Sequence, residues 1–346
     1  MEVVSLYLPM DRRQALGAGK DLPDRTQGTA LFADISGFTP LTSALVEELG
    51  PQRGAEELIR QLNLVYGALI AELHLYRGSV IGFSGDAITC WLDRDDGSLA
   101  TSCGLAMQNT MEQFAAVKTP AGTTVSLGVK VAAVTGPVRR FLVGDPEIQT
   151  LEAIAGATMD RMAAAEKQAE RGEVIVGAEV ADRLGDQALV NEWRDGPGGE
   201  RFAVVTGLAS PVEPAPWSDA PPVSDNVAQG WIFPPVFQRL LEGQSEFLAE
   251  LRPAVALFVK FTGIEYDRDE DAGAKLDGYV RWVQEIVTSY DGYLVNLTMG
   301  DKGSYLYAAF GAPVAHEDDP ARAVTAALQL RSPPPELSFI KDARMG

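Results

Sequence analysis

Two aspartates stand out by type and setting. Asp34 closes the apolar run Ala30-Leu31-Phe32-Ala33 and is followed by Ile35-Ser36-Gly37-Phe38-Thr39. Asp86 sits in Ser84-Gly85-Asp86, between Val80–Phe83 and Ala87–Leu92. Two carboxylates brought close repel each other and invite a hard divalent cation. The stretch Ile35 to Thr39 leads into a helix start, whose unpaired backbone N–H groups favour phosphate. Carboxylates for metal beside an N–H cradle for phosphate make a phosphoryl-transfer site. The rest of the composition narrows the choice. Only two His (His74, His316) and two Cys (Cys90, Cys103) occur in 346 residues. That supply excludes a Cys-rich zinc module and a disulfide framework, and it argues against a His-dependent triad. Any metal must therefore be a carboxylate-loving ion such as Mg²⁺, Mn²⁺ or Ca²⁺. With 48 acidic and 29 basic residues the net charge is −19, which excludes binding to nucleic acid or anionic membrane by bulk charge.

The elements that must position these residues read as strand, helix, strand, strand, helix, strand. Thr39-Pro40 reads as an N-cap and N1 pair. Glu56 to Tyr76 carries Leu58, Leu62, Val65, Leu69 and Leu73 at three- or four-residue steps, a core-facing stripe. The Ser84-Gly85-Asp86 turn marks a hairpin, Leu99 to Ala116 a second helix, and Thr124 to Thr135 a strand. This is a ferredoxin-like β-α-β-β-α-β core, an α+β fold with helices on an antiparallel sheet. There the first strand lies beside the hairpin, so Asp34 and Asp86 converge at one edge. Cys90 alternates with Ile88 and Leu92 and belongs to the core.

The order of features then repeats. Ala256-Leu257-Phe258-Val259-Lys260-Phe261-Thr262-Gly263 parallels the stretch from Ala30. Tyr76-Arg77-Gly78 has a counterpart in Tyr290-Asp291-Gly292, and Gly85-Asp86 in Gly300-Asp301. Lys130 lies 44 residues after Asp86, and Arg344 lies 43 after Asp301. Unlike features in one order at near-equal spacing imply a duplicated fold. Between the copies, seven of the 21 prolines fall within 29 residues, Gly207 to Pro235, a stretch read as free of regular helix or central strand. A helical segment, Val236 to Leu251, follows. The expected domains are an extension over 1–29, a metal-binding domain over 30–206, a linker with a short helix over 207–253, and a degenerate second domain over 254–346. That second copy is expected to be C-terminally incomplete, because it stops two residues after Arg344. Met1 to Met10 carries no basic, apolar leader, and no uncharged apolar stretch reaches 18 residues, so no membrane span is expected. Two thiols suit a cytoplasmic setting.

Phe32-Ala33-Asp34-Ile35-Ser36-Gly37-Phe38-Thr39, together with Phe83-Ser84-Gly85-Asp86-Ala87, resembles the metal-binding pair of the class III nucleotide cyclases. The tandem arrangement and Asp301-Lys302-Gly303 resemble the soluble adenylyl cyclase branch, which includes large bacterial relatives. The resemblance covers about 30–206 and 254–346. It implies conversion of ATP to 3′,5′-cyclic AMP and pyrophosphate at the interface of a pseudo-heterodimer within one chain. Asp34 and Asp86 would hold two Mg²⁺ or Mn²⁺ ions, with the Ile35 carbonyl completing the coordination. Ser36, Gly37, Phe38, Thr39 and Gly85 would cradle substrate, Lys130 would bind the terminal phosphates, and Asn296 matches a base-contacting position.

The departures from the family pattern imply a second, degenerate site. The segment from Gly156 is placed by Gly172-Glu173-Val174-Ile175-Val176, which begins 16 residues later. Asp160 then takes the place of a transition-state Asn, and Ala164 that of an Arg. Lys260 stands where Asp34 stands in the first copy, which leaves Asp301 without a partner carboxylate. The catalytic site's own Asn/Arg pair would lie beyond Arg344, so this chain alone is expected to be weak or inactive. Positions that carry bicarbonate-responsive basic residues in animal members correspond to Gly82 and Ala163, so no such response is expected. Members of this branch continue into ATPase and helical-repeat regions. Two competing readings are a non-catalytic nucleotide-sensing module and a guanylate or diguanylate cyclase. The Gly-Gly-acidic-acidic-Phe turn of the diguanylate enzymes is missing at Ser84-Gly85-Asp86-Ala87.

Overall fold

The computed structural model describes residues 7–243, 253–299 and 303–346. Packing divides the chain into two compact units, and the division is discontinuous. One unit comprises Arg25–Val138 and Ala157–Ala220; the other comprises Met1–Asp24, Arg139–Gly156 and Pro221–Gly346. In chain order the elements begin with α1 (Met10–Gly17), β1 (Arg25–Ser36), α2 (Phe38–Leu49), α3 (Pro51–Leu75), β2 (Ser79–Ser84), β3 (Ala87–Asp93) and α4 (Ser98–Met111). Next come β4 (Val117–Lys118), β5 (Thr124–Val125), β6 (Gly128–Val143), β7 (Leu151–Ala155), α5 (Ala157–Gln168), β8 (Val174–Gly177) and α6 (Ala178–Leu184). Then follow β9 (Ala188–Asp195), β10 (Arg201–Leu208), α7 (Asp225–Gln229), α8 (Pro234–Leu241), β11 (Val255–Thr262), α9 (Ala272–Ser289), β12 (Tyr293–Thr298), β13 (Ser304–Phe310), α10 (Asp319–Leu330) and β14 (Lys341–Met345).

In the unit that carries Asp34, the strands run β2-β3-β1-β6-β8-β10-β9. The first four follow the ferredoxin-like order and supply the expected α+β core. β1 pairs antiparallel with β3 from Gly28↔Asp93 to Asp34↔Ala87. β6 pairs parallel with β8. Leu31, Ala33 and Ile35 of β1 are buried with Val65, Leu69 and Leu73 of α3 and with Ile88, Cys90 and Leu92 of β3. Four-residue spacing on the helix and two-residue spacing on the strands direct these side chains into one layer. Burial also pushes the Cys90 thiol up in pKa, which keeps it a small apolar filler.

The other unit repeats the core order as β12-β13-β11-β14. The repeat extends to how each long helix stops. After α3, Arg77 takes φ 60°, Arg77 N–H donates to His74 O and Gly78 N–H donates to Leu73 O. After α9, Asp291 takes φ 54°, Asp291 N–H donates to Thr288 O and Gly292 N–H donates to Val287 O. Both are Schellman stops in which the left-handed residue is the one before the glycine. Close packing explains the glycine itself: a Cβ at Gly292 would lie 2.5 Å from the Phe310 ring.

A hairpin within the 30–206 stretch shares the core of the unit that holds β11–β14. The end of β6 pairs with β7 from Arg139↔Ala155 to Val143↔Leu151. Phe141, Val143, Leu151, Ala153 and Ala155 pack with Leu276, Val280 and Val283 of α9. Gly144 N–H donates to Asp277 (2.8 Å), and the buried Gln284 side chain accepts from Asp145 N–H (2.8 Å) and donates to Gln149 O (2.7 Å).

The Pro-rich stretch differs from the expectation of no regular structure. Residues 209–224 have none, but α7 and α8 then form. Pro234 and Pro235 open α8 at its first two positions, where the missing N–H groups would have no helical acceptor anyway. The rest of the helix expected over Val236 to Leu251 lies outside the described residues beyond 243. Trp217 N–H donates to His74 O (3.3 Å) and its indole to Gly78 O (2.8 Å), which ties the stretch to the end of α3. Among the described residues, no helix is long and apolar enough to cross a membrane.

Candidate active site

The pairing of β1 with β3 sets Asp34 opposite Ala87, next to Asp86 in the hairpin turn. Ile35 N–H donates to Asp86 O at 3.1 Å, which clamps the turn to the strand end. Ile35 itself is fully buried. Gly85 takes φ +65°, and its carbonyl accepts from Tyr66 Oη at 2.8 Å. Tyr66 also meets Phe83 edge to face, with centroids 5.4 Å apart. Burial, and then the negative charges of Asp86 and Asp34, push the Tyr66 hydroxyl up to about 12 in pKa, so it stays a donor.

Lys130 stands on β6, beside β1. Its Nζ lies 3.2 Å from Asp34 Oδ2 and 2.5 Å from Glu166 Oε1 on α5. Burial raises the Asp34 pKa, Lys130 pulls it back, and Asp86 and Glu166 push it up again, for a net upward shift. Burial lowers the Lys130 pKa, but Glu166 and Asp34 outweigh this and hold it above the ordinary value.

The cradle differs from its expected cap. Helix α2 starts at Phe38 with Gly37 as N-cap, so Thr39 and Pro40 lie inside the first turn. Gly37 takes φ +102°, and a Cβ there would lie 2.5 Å from Ser126 O. A glycine turn can therefore end the strand and open the helix with no Ser/Thr cap, and no side chain caps this end. Pro40 is tolerated because the first turn's N–H groups have no helical acceptor. Phe38 is buried in the core, Thr39 is exposed, and Ser36 Oγ donates to Gly128 O (3.3 Å). Gly37→Ala should cost about 1–3 kcal/mol through strain and the clash with Ser126 O. Thermal unfolding checks this, and an unchanged Tm would show that the turn relaxes freely.

One unit thus brings together Asp34, Ile35, Ser36, Gly37, Phe38, Thr39, Gly85, Asp86 and Lys130. Asp160 and Ala164 lie on α5 of the same unit, Ala164 buried. Sequence reasoning missed Tyr66 and Glu166. Tyr66 follows Val65 of the apolar stripe, and Glu166 falls two residues beyond Ala164. In the other unit, Asn296 of β12 pairs in register with Tyr307. Lys260 pairs with Tyr305 on one side and Arg344 on the other. Tyr305 is four residues past Asp301, whereas Ala87 is one past Asp86, so the two copies differ in spacing here. Asp301 lies outside the described residues. Lys260 and Arg344 line a hollow of about 610 Å³ with Phe258 and Tyr305.

The donor set in the Asp34 unit fits a divalent cation. No group of three or more His, Cys, Asp or Glu forms a closed metal cage among the described residues. Two carboxylates with an open side suit Mg²⁺, which binds through one or two carboxylates plus substrate phosphates. The Lys130 ammonium already occupies a cation position against Asp34.

No family model matches the chain. Adenylate cyclase type 10 of Homo sapiens is 22% identical over 323 residues, covering 84% of this chain and 20% of that protein. The Rattus norvegicus protein of the same name is 22% identical over 317 residues, covering 83% and 19%. The chain thus spans about a fifth of the length of these relatives. Among solved structures, the guanylyl cyclase Cya2 aligns at 25% identity and TM-score 0.46, covering 56% of this chain and 98% of that one. The adenylyl cyclase CyaB from P. aeruginosa aligns at 23% and 0.44, covering 54% and 96%. The similarity to adenylate cyclase type 10 runs over more than four fifths of the chain, which marks those class III, tandem-domain proteins as its homologues.

Proposed function

We propose that the protein is a nucleotide cyclase that converts ATP to 3′,5′-cyclic AMP and pyrophosphate. The observation that carries this reading is the placement of Asp34 and Asp86 on either side of one β1–β3 register step, beside an uncapped helix start. In the reaction, O3′ of the ribose bonds to the α-phosphorus and the bond from that phosphorus to the β-phosphate bridging oxygen breaks. Pyrophosphate leaves with the electron pair, and the 3′-hydroxyl proton is released. Two Mg²⁺ or Mn²⁺ ions, when bound, acidify O3′ and neutralise the triphosphate. Asp34 and Asp86 would hold them, with the Ile35 carbonyl as a further oxygen ligand. The N–H groups of Phe38 and Thr39 receive phosphate oxygens at the α2 start. The Lys130 ammonium balances the terminal phosphates, and Tyr66 fixes the Gly85-Asp86 turn.

In this reading the second copy keeps Asn296, on β12, at a position that matches a base-contacting one in the cyclases it resembles. It is not a second metal centre, because Lys260 replaces the first carboxylate. The kinship with adenylate cyclase type 10 supports ATP over GTP, and the free thiols Cys90 and Cys103 suit a cytoplasmic setting. Mass analysis of the products formed by the full gene product from ATP or GTP with Mn²⁺ tests the reading. Cyclic AMP from ATP is the expected result. Cyclic GMP alone would overturn the substrate assignment. Nucleotide bound but left intact would favour a sensing module.

A further inference from the structure

One ammonium is shared by two carboxylates at this site. Lys130 Nζ lies 2.5 Å from Glu166 and 3.2 Å from Asp34, with each side chain about one-quarter exposed (24%, 23% and 27%). The shorter contact makes Glu166 the stronger partner. Arg161, also on α5, is directed elsewhere: it donates to Thr135 O (2.8 Å) and faces Glu179 (3.8 Å). A divalent cation on Asp34 needs the carboxylate that the lysine now touches, and it repels the ammonium.

We propose that Glu166 is a positioning residue that draws the Lys130 ammonium off Asp34 when a divalent cation binds. The inference rests on the reading of Asp34 as a metal carboxylate. Glu166 sits close enough to take the whole ammonium, so the lysine remains neutralised as it leaves Asp34. It is then held beside the metal, on the side where the phosphates arrive. Without the Glu166 charge, Asp34 is the anionic partner left to the ammonium among the described residues. Lysine and metal then compete for the same oxygen.

Mn²⁺ binding to the whole chain, followed by electron paramagnetic resonance without nucleotide, tests this. Glu166→Gln should weaken Mn²⁺ binding about tenfold, the scale of one lost charge-assisted hydrogen bond. Glu166→Asp should recover part of the loss. Lys130→Met should tighten binding, and in that background Glu166→Gln should change it less than about threefold. Wild-type affinity in Glu166→Gln overturns the inference. So does an equal loss in both backgrounds, which would mean that Glu166 acts on the metal directly. Asp34→Asn decides the underlying reading separately. If it leaves Mn²⁺ binding intact, the metal site is elsewhere; if it abolishes binding while Glu166→Gln does nothing, only the role of Glu166 fails.

Discussion

Replacing Asp34 with Asn should lower cyclic AMP formation by the full gene product at least about 10²–10³-fold, while the fold survives. The two halves of this expectation have different origins. Chemically, the substitution removes one of the two carboxylates at the strand edge, and an amide oxygen is a far weaker ligand for a hard cation. Structurally, Asp34 contributes little that Asn lacks. Burial and the neighbouring charge of Asp86 already work against its ionised form. Its one ion pair, with Lys130, is the longer of the two that the lysine makes. Stability should therefore change by no more than about 1 kcal/mol. Thermal unfolding measured beside product formation separates the two effects. Full activity in Asp34→Asn would sink the two-aspartate site, and so would an activity loss that merely tracks unfolding. Asp86→Asn should behave alike, since the turn conformation depends on Gly85 and on the Tyr66 hydrogen bond rather than on the Asp86 side chain.

Much of this arrangement was legible because it is local or periodic. The stripe Val65-Leu69-Leu73 and the alternation Ile88-Cys90-Leu92 specify a helix and a strand that share one core. The repeated Tyr-x-Gly stretches were legible as counterparts, and each proves to be the same Schellman stop. Asp34 and Asp86 could be brought together because a ferredoxin-like core sets its first strand beside the hairpin. What escaped was decided by tertiary partners. The strand read over Thr124 to Thr135 stops short of Phe141 and Val143, and nothing in the sequence shows that these two pack on a helix more than 130 residues onward. Glu166 reads as one more acid on an amphipathic helix until Lys130 is seen between it and Asp34. The cap at Gly37 was misplaced because Thr-Pro is a stronger local signal than a glycine with φ +102°. The short helix at Asp225 was lost to the prolines, and the helix expected from Val236 starts two residues earlier because Pro234 and Pro235 open it.

Arg140→Met should cost about 3–5 kcal/mol. The Arg140 guanidinium binds Asp11 at 2.5 Å and Glu152 at 2.9 and 2.6 Å. Arg12 adds two bonds to the same Glu152, at 3.1 and 2.9 Å. The side chains of these four residues are at most 5% exposed. Among the described residues, these two positive and two negative side chains share a space nearly closed to water. The Arg12 guanidinium lies 5.5 Å from the centre of the Trp231 ring. Methionine fills much of the arginine's volume but leaves two carboxylates facing one guanidinium. That uncompensated charge, rather than a lost contact, dominates the penalty. The argument predicts a contrast. Converting the whole quartet to apolar residues (Asp11→Leu, Arg12→Met, Arg140→Met, Glu152→Leu) should restore stability to within about 1 kcal/mol of the parent or better, because no charge is then buried. Urea unfolding followed by circular dichroism measures both variants. All four residues lie in the unit built on β11–β14, so the loss belongs to that unit's transition. A deficit below about 1 kcal/mol for Arg140→Met would mean that water reaches the orphaned carboxylates. A quadruple variant as unstable as the single one would mean that geometry, not charge balance, makes this cluster necessary for joining α1 to the β6–β7 hairpin.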